Sequence, residues 1–230
     1  MYLKNHTQIF VLLLLFFPWQ SIAQAPVLWE VEAEVNSIIK DRWTYTAGVA
    51  NRNVATSDLE NAPLQIEARH IQMEVNTAYE VGFYTKLGGG IMYRFNTLGD
   101  SNAENELRFT QQFSIASYVN AARWVHRFKA DQRIEESRTE HRLRYRLSND
   151  FPLQGLSLDT REFYMVWATE SLFNYGNKLR PMWDQRFTIS FGNQITDAMK
   201  IQLDLEYRKD DYFKTSGSRI FVVTGIFYKI

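Results

Sequence analysis

From residue 29 onward, apolar side chains fall at every second position of the chain. Trp29, Val31, Ala33 and Val35 alternate with Glu30, Glu32, Glu34 and Asn36. Leu107, Phe109, Phe113 and Ile115 alternate with Glu106, Arg108, Thr110, Gln112 and Ser114. The pattern returns in Leu143, Tyr145 and Leu147, and again in Ile201, Leu203, Leu205 and Tyr207. A period of two gives an extended strand one apolar and one polar face. It predicts strands over 29–38, 43–52, 64–76, 83–95, 105–117, 122–135, 138–149, 161–172, 182–193, 198–209 and 219–230.

Several of these segments are about twice the length of an ordinary globular strand. A tilted strand crossing a bilayer needs about 9–11 residues in the hydrocarbon. Length and alternation together predict an all-β fold, an antiparallel up-and-down transmembrane β-barrel, over a soluble sandwich with its charges outward. Segments 53–63, 96–104, 173–181 and 210–218 read as outer loops, and 77–82, 118–121 and 194–197 as short periplasmic connections. Two connections break that pattern, the long inner one at 150–160 and the short outer one at Glu136-Ser137. This sends the last strand down to the periplasm, where both termini of such barrels normally lie. Bacterial single-chain barrels usually have an even number of strands. Ten is favoured, with 29–38 outside the wall; twelve follows if one segment is split.

Tight turns set the expected register. With Val119-Asn120 and Glu136-Ser137 as two-residue turns, Glu106 lies beside Arg133 and Arg133 beside Glu140. Arg108 then lies beside Asp131, and Asp131 beside Arg142. A turn at 195–197 sets Arg186 beside Glu206 and Asp184 beside Arg208, and on the other face Phe187, Ile189 and Phe191 beside Leu205, Leu203 and Ile201. These are candidate ion-pair rows of a polar lumen. The same logic juxtaposes like charges, Arg127 with Arg146 and Lys129 with Arg144. Such a basic stretch either attracts anions or is compensated from other strands, for instance by Glu162 or Glu170. Trp43, Tyr45, Tyr93, Trp183, Tyr207 and Tyr228 sit near strand ends on the apolar parity, where a membrane barrel carries its aromatic girdles.

Residues 1–23 carry the marks of a cleavable export signal: Lys4 in a polar start, an apolar run from Ile9 to Phe17, and Ser21-Ile22-Ala23 at the cleavage site. Residues 24–230 then form one barrel domain placed in the cell outer membrane. The 26 basic and 26 acidic side chains balance, which removes the argument for a nucleic-acid partner. The absence of cysteine excludes disulfides and thiolate metal sites.

Three stretches are similar to an exported bacterial family, domain of unknown function 2490. They are His126-Arg127-Phe128-Lys129-Ala130-Asp131-Gln132-Arg133, Arg142-Leu143-Arg144-Tyr145-Arg146-Leu147 and Phe151-Pro152-Leu153. Glu170 and the pair Gln185-Arg186 fall where that family places similar residues, and Asp131 stands where a Glu is expected. The resemblance implies a Gram-negative outer-membrane barrel and carries no activity with it.

Chemistry is sparse. His126 and His141 share the apolar parity, Ser148 and Ser190 the inward one, and Ser137 lies in a turn, so no Ser-His-acid triad assembles and no enzyme is expected. Scattered histidines have no metal-ligand spacing, and no cofactor is expected. Gly88-Gly89-Gly90 lacks the Lys-Ser/Thr of a phosphate loop and reads as a close approach inside a strand. The alternating Glu30, Glu32 and Glu34 read as a solvated acidic face. The expected partners are membrane lipid and, if the bore is open, a small polar solute. The functional expectation is a narrow pore; the alternative is a plugged barrel with a structural or binding role.

Overall fold

The computed structural model describes residues 26–40, 42–56, 65–96, 102–177, 179–214 and 217–230. The export signal expected at 1–23 lies outside the described residues, as do the tips of several predicted outer loops. Eleven strands make up the fold: β1 (Val27–Lys40), β2 (Trp43–Thr56), β3 (Gln65–Gly82), β4 (Thr85–Phe95), β5 (Glu106–Val119), β6 (Ala122–Ile134), β7 (Thr139–Pro152), β8 (Phe163–Gly176), β9 (Leu179–Gln194), β10 (Met199–Lys209) and β11 (Ser218–Lys229). They close into a barrel in chain order, each strand antiparallel to its sequence neighbours.

The predicted count of ten, or twelve, is corrected to eleven. The segment 29–38 is a full wall strand, antiparallel to β2 and parallel to β11, from Val27 opposite Ile220 to Asn36 opposite Lys229. Parallel closure follows from the odd number, because alternation leaves the first and last strands pointing the same way. Both edges are thereby paired, which removes the unsatisfied backbone groups an open sheet would present. The start of β1 at Val27 and the end of β11 at Lys229 consequently lie at opposite mouths, not on one side as expected.

Strands also run further than the alternation alone indicates. β3 continues through 77–82, so that connection shrinks to Phe83-Tyr84 with Tyr84 at φ 58°. At the mouth where β11 ends, three connections are two residues long, and 153–162 and 195–198 are the longer ones. At the other mouth, 57–64, 96–105 and 210–217 are long, 135–138 is a tight turn, and 177–178 replaces the loop expected over 173–181.

One register matches the sequence reading and two do not. Arg133 faces Glu140, Asp131 faces Arg142, and Arg127 faces Arg146. Between β5 and β6 the turn is Asn120-Ala121, not Val119-Asn120, so Arg108 faces Arg133 and Thr110 faces Asp131. Asn120 takes φ 55°, a left-handed conformation that asparagine tolerates better than most residues. Between β9 and β10 the connection is longer than expected. Thr196 Oγ1 accepts from the amides of Ala198 and Met199, and Arg208 falls opposite Arg186. Tyr207, Leu205 and Leu203 therefore face Phe187, Ile189 and Phe191. Both slips are by two residues, so every side chain keeps its face and the apolar pattern is unchanged.

Outward positions are apolar and exposed through mid-barrel, including Val75, Ile91, Phe128, Leu143, Ile189 and Leu203. Inward positions are mostly charged or polar, with apolar exceptions on β8 (Ala168, Leu172) and β11 (Phe221). In β4, a Cβ on Gly88 would press on the Thr77 carbonyl, and one on Gly90 would overlap the Asn76 side chain, so this triplet is the close approach its sequence suggested.

Candidate functional site: a filled half and an open chamber

The half of the bore nearest the long loops is filled by side chains. Glu106 on β5 accepts hydrogen bonds from Arg94 (3.1 Å), Arg108 (2.5 Å) and Arg133 (2.7 Å). Arg133 reaches on to Glu140 at 2.6 Å. Although Glu106 is not directly opposite Arg133, the long guanidinium arm spans the diagonal and makes the expected pair. Asp131 accepts from Arg142 at 2.9 Å and Arg144 at 3.1 Å, and Arg52 bonds Glu30 at 2.6 Å.

Three expected pairs do not form: Arg108 bonds Glu106 on its own strand instead of Asp131, and the two pairs between β9 and β10 are also replaced. Arg186 turns to Glu170 at 3.3 Å, Arg208 bonds Glu206 on its own strand, and Asp184 accepts from Asn174 at 2.7 Å. The shifted register accounts for this, since it sets Arg186 and Arg208 face to face. Phe221 on β11 fills the space between the arginines: Arg208 lies 3.6 Å and Arg52 4.8 Å from its ring centroid. Phe221, Leu172 and Glu106 are each 0 % exposed. Phe221 and Leu172 were not picked out from the sequence. The signal was present, because counting by twos from Arg219 puts Phe221 on the inward face.

Deeper toward the other mouth lies the basic stretch. Arg144 is held by Asp131 and lies 3.7 Å from Glu170, which compensates part of the stretch as anticipated. Glu162 does not reach it; that side chain accepts the amide of Asp159 in the 153–162 connection. The side chains of Arg127, Lys129 and Arg146 make no hydrogen bond or ion pair among the described residues. Glu34 and Glu170 act on Arg127 through space, as Glu74 and Asp131 do on Lys129.

Above this floor the bore widens into a cavity of about 1070 Å³ at the mouth where β11 ends. Arg127, Arg146 and Asn36 line its depth, and Tyr164 and Phe227 its walls. Lys86, Lys200 and Lys229 also line it. Of its carboxylates, Asp150 is engaged by Arg123 at 3.0 Å, and Asp197 accepts the Thr160 hydroxyl.

The six predicted girdle residues divide between the rims. Trp43, Tyr45 and Tyr228 stand outside the chamber end, with Trp43 4.9 Å from Tyr79. Tyr93, Trp183 and Tyr207 stand outside the filled end, with Trp183 5.1 Å from Phe173. His126 is on the exterior, its Nδ1 2.9 Å from the Tyr145 hydroxyl, and His141 stacks on Tyr175. Neither touches a serine or a carboxylate among the described residues. No metal-binding cluster occurs among them either. Glu30, Glu32 and Glu34, read as a solvated face, point into the bore, where Glu30 is buried against Arg52 and Glu34 accepts from Asn36 at 3.1 Å.

Fold and interior together define a closed, single-sheet β-barrel with an apolar outside and a charged inside. Residues 28–219 match the family described as Protein of unknown function (DUF2490), and the chain belongs to that family. No curated protein and no solved structure matches the chain.

Proposed function

We propose that this protein is an outer-membrane β-barrel whose bore is closed at the long-loop end and forms a binding chamber facing the periplasm. It reaches the membrane through the export signal at 1–23. Its constant partner is lipid, and it performs no catalysis. The membrane setting is supported by the exposed apolar band between two aromatic rims. Such a surface in water would be an aggregation hazard, whereas in lipid it is the expected exterior. Orientation rests on the short connections gathering at the chamber mouth.

The observation that carries the binding reading over the narrow pore is the filled layer around Phe221 and Glu106. A solute crossing it would have to break several buried charge pairs, each costly to separate. The chamber, by contrast, is of the size that takes a small molecule.

Single cysteines test the proposal cleanly, because the chain has none of its own. In proteoliposomes, a membrane-impermeant maleimide should label Ser148→Cys in the chamber. It should spare Leu203→Cys on the exterior and Thr188→Cys in the filled half. Labelling of Leu203→Cys would remove the membrane setting, and labelling of Thr188→Cys the closure.

A further inference from the structure

The floor of the chamber carries a charge arrangement that a finished, ligand-free interior would avoid. Arg127 and Arg146 are direct cross-strand partners, both line the cavity, and neither side chain contacts a carboxylate among the described residues. Apposed like charges destabilise a strand pair. Elsewhere in the bore the same sequence supplies acids within contact distance: Glu106 holds three arginines, and Asp131 two. At the chamber floor that supply stops, where the bore becomes wide enough for another molecule.

We propose that the chamber binds an organic oxyanion, with its phosphate or carboxylate held between Arg127 and Arg146 and its apolar body against Tyr164 and Phe227. This deepens the binding-chamber reading and rests on it. Two guanidinium groups on adjacent strands offer the paired N–H donors that planar or tetrahedral oxyanions accept. Lys86, Lys200 and Lys229 line the same cavity and add a field that draws anions inward. The aromatic wall distinguishes the site from one for a bare inorganic ion. Tyr164 is held in the wall by Gln202, which accepts its hydroxyl at 2.8 Å, by Gly192, against which the ring packs, and by Lys200, 5.4 Å from the ring centroid.

The test is calorimetric titration of phenyl phosphate into the full protein in zwitterionic micelles, with phenol and inorganic phosphate as comparisons. Phenyl phosphate should bind at one site, inorganic phosphate more weakly, and phenol not at all. Arg127→Gln and Arg146→Gln should each weaken phenyl phosphate at least ten-fold, the scale of a lost hydrogen bond between charged groups. Arg127→Lys, which keeps the charge and loses the fork, should fall between. Heat-shifted gel migration certifies that each variant is folded. Competition by lysophosphatidic acid would identify a lipid headgroup as the source of the anion, and indifference to it a soluble one. Absence of binding, or unchanged affinity in both glutamine variants, would overturn the proposal. The maleimide result at Thr188→Cys is independent of the anion. Thr188→Cys protected without phosphate binding rejects this site and keeps the closed chamber; Thr188→Cys labelled with binding intact does the reverse.

Discussion

At Glu106 three guanidinium groups converge on one carboxylate that water does not reach. Removing that carboxylate leaves three largely buried cations facing one another. Glu106→Gln should therefore cost about 3–5 kcal/mol in a denaturant titration of the barrel in micelles, as breaking a buried charge pair does elsewhere. Arg123→Gln at the chamber mouth is the control. Its pair with Asp150 is half exposed, and the loss should stay below about 1 kcal/mol. Outside the wall, Glu104 accepts both the amide and the hydroxyl of Ser137, each at 2.9 Å. Those bonds hold the Glu104 carboxyl below the ordinary carboxylate range. A depressed carboxylate holds its contact above its unfolded value and loses it as pH falls through the lower folded one. Amide exchange at Ser137 should be slow at neutral pH and accelerate only below the usual glutamate range. Constant protection down to that pH in Glu104→Gln would show the contact to be irrelevant. At this scale the sequence was informative about face and silent about partner. Parity assigned Glu106, Asp131, Arg142 and Arg144 to the interior, yet contact distances depend on how long arms bend across diagonals. Phe221 shows the limit most clearly, being an apolar residue on the polar parity whose partners are arginines of β2 and β10.

Among the elements, all eleven strands were legible from alternation, because a two-sided wall between an apolar and a polar medium imposes that period on every strand. Register was legible only where a turn left no choice. Glu135 bonds back to Arg138 through backbone and side chain, which pins the β6–β7 hairpin as predicted. At Asn120-Ala121 and at 195–198, a slip of two residues preserves every face, so apolar patterning could not detect it. Engineered disulfides discriminate the registers. Phe187→Cys/Tyr207→Cys should cross-link on oxidation and Phe187→Cys/Leu205→Cys should not, since bridged residues must lie within the short Cα separations a disulfide spans. The reverse preference would restore the register read from the sequence. Closure is tested in the same way by Trp29→Cys/Val222→Cys across the parallel seam. A barrel of ten strands, with β1 outside the wall, would leave that pair reduced.

For the whole molecule, charge is distributed along the bore more than around it. Toward the long loops, carboxylates and arginines meet in contact with Phe221 packed among them; toward the short turns, cations outnumber the carboxylates that touch them and the space opens. The ion-pair rows and the basic stretch were readable in advance; closure by the eleventh strand and the widening of the bore were not. Strand parity carries no information on whether first and last strands meet. A net charge of zero over the chain conceals a local excess. The account stands or falls on closure of the filled half. The direct test is single-channel conductance across a planar bilayer, with insertion established by heat-shifted migration. The wild-type protein should be silent, and Phe221→Ala should conduct if the smaller residue unlocks the layer without unfolding it. Discrete, stable openings in the wild-type protein would contradict the closed bore and return the narrow pore as its function.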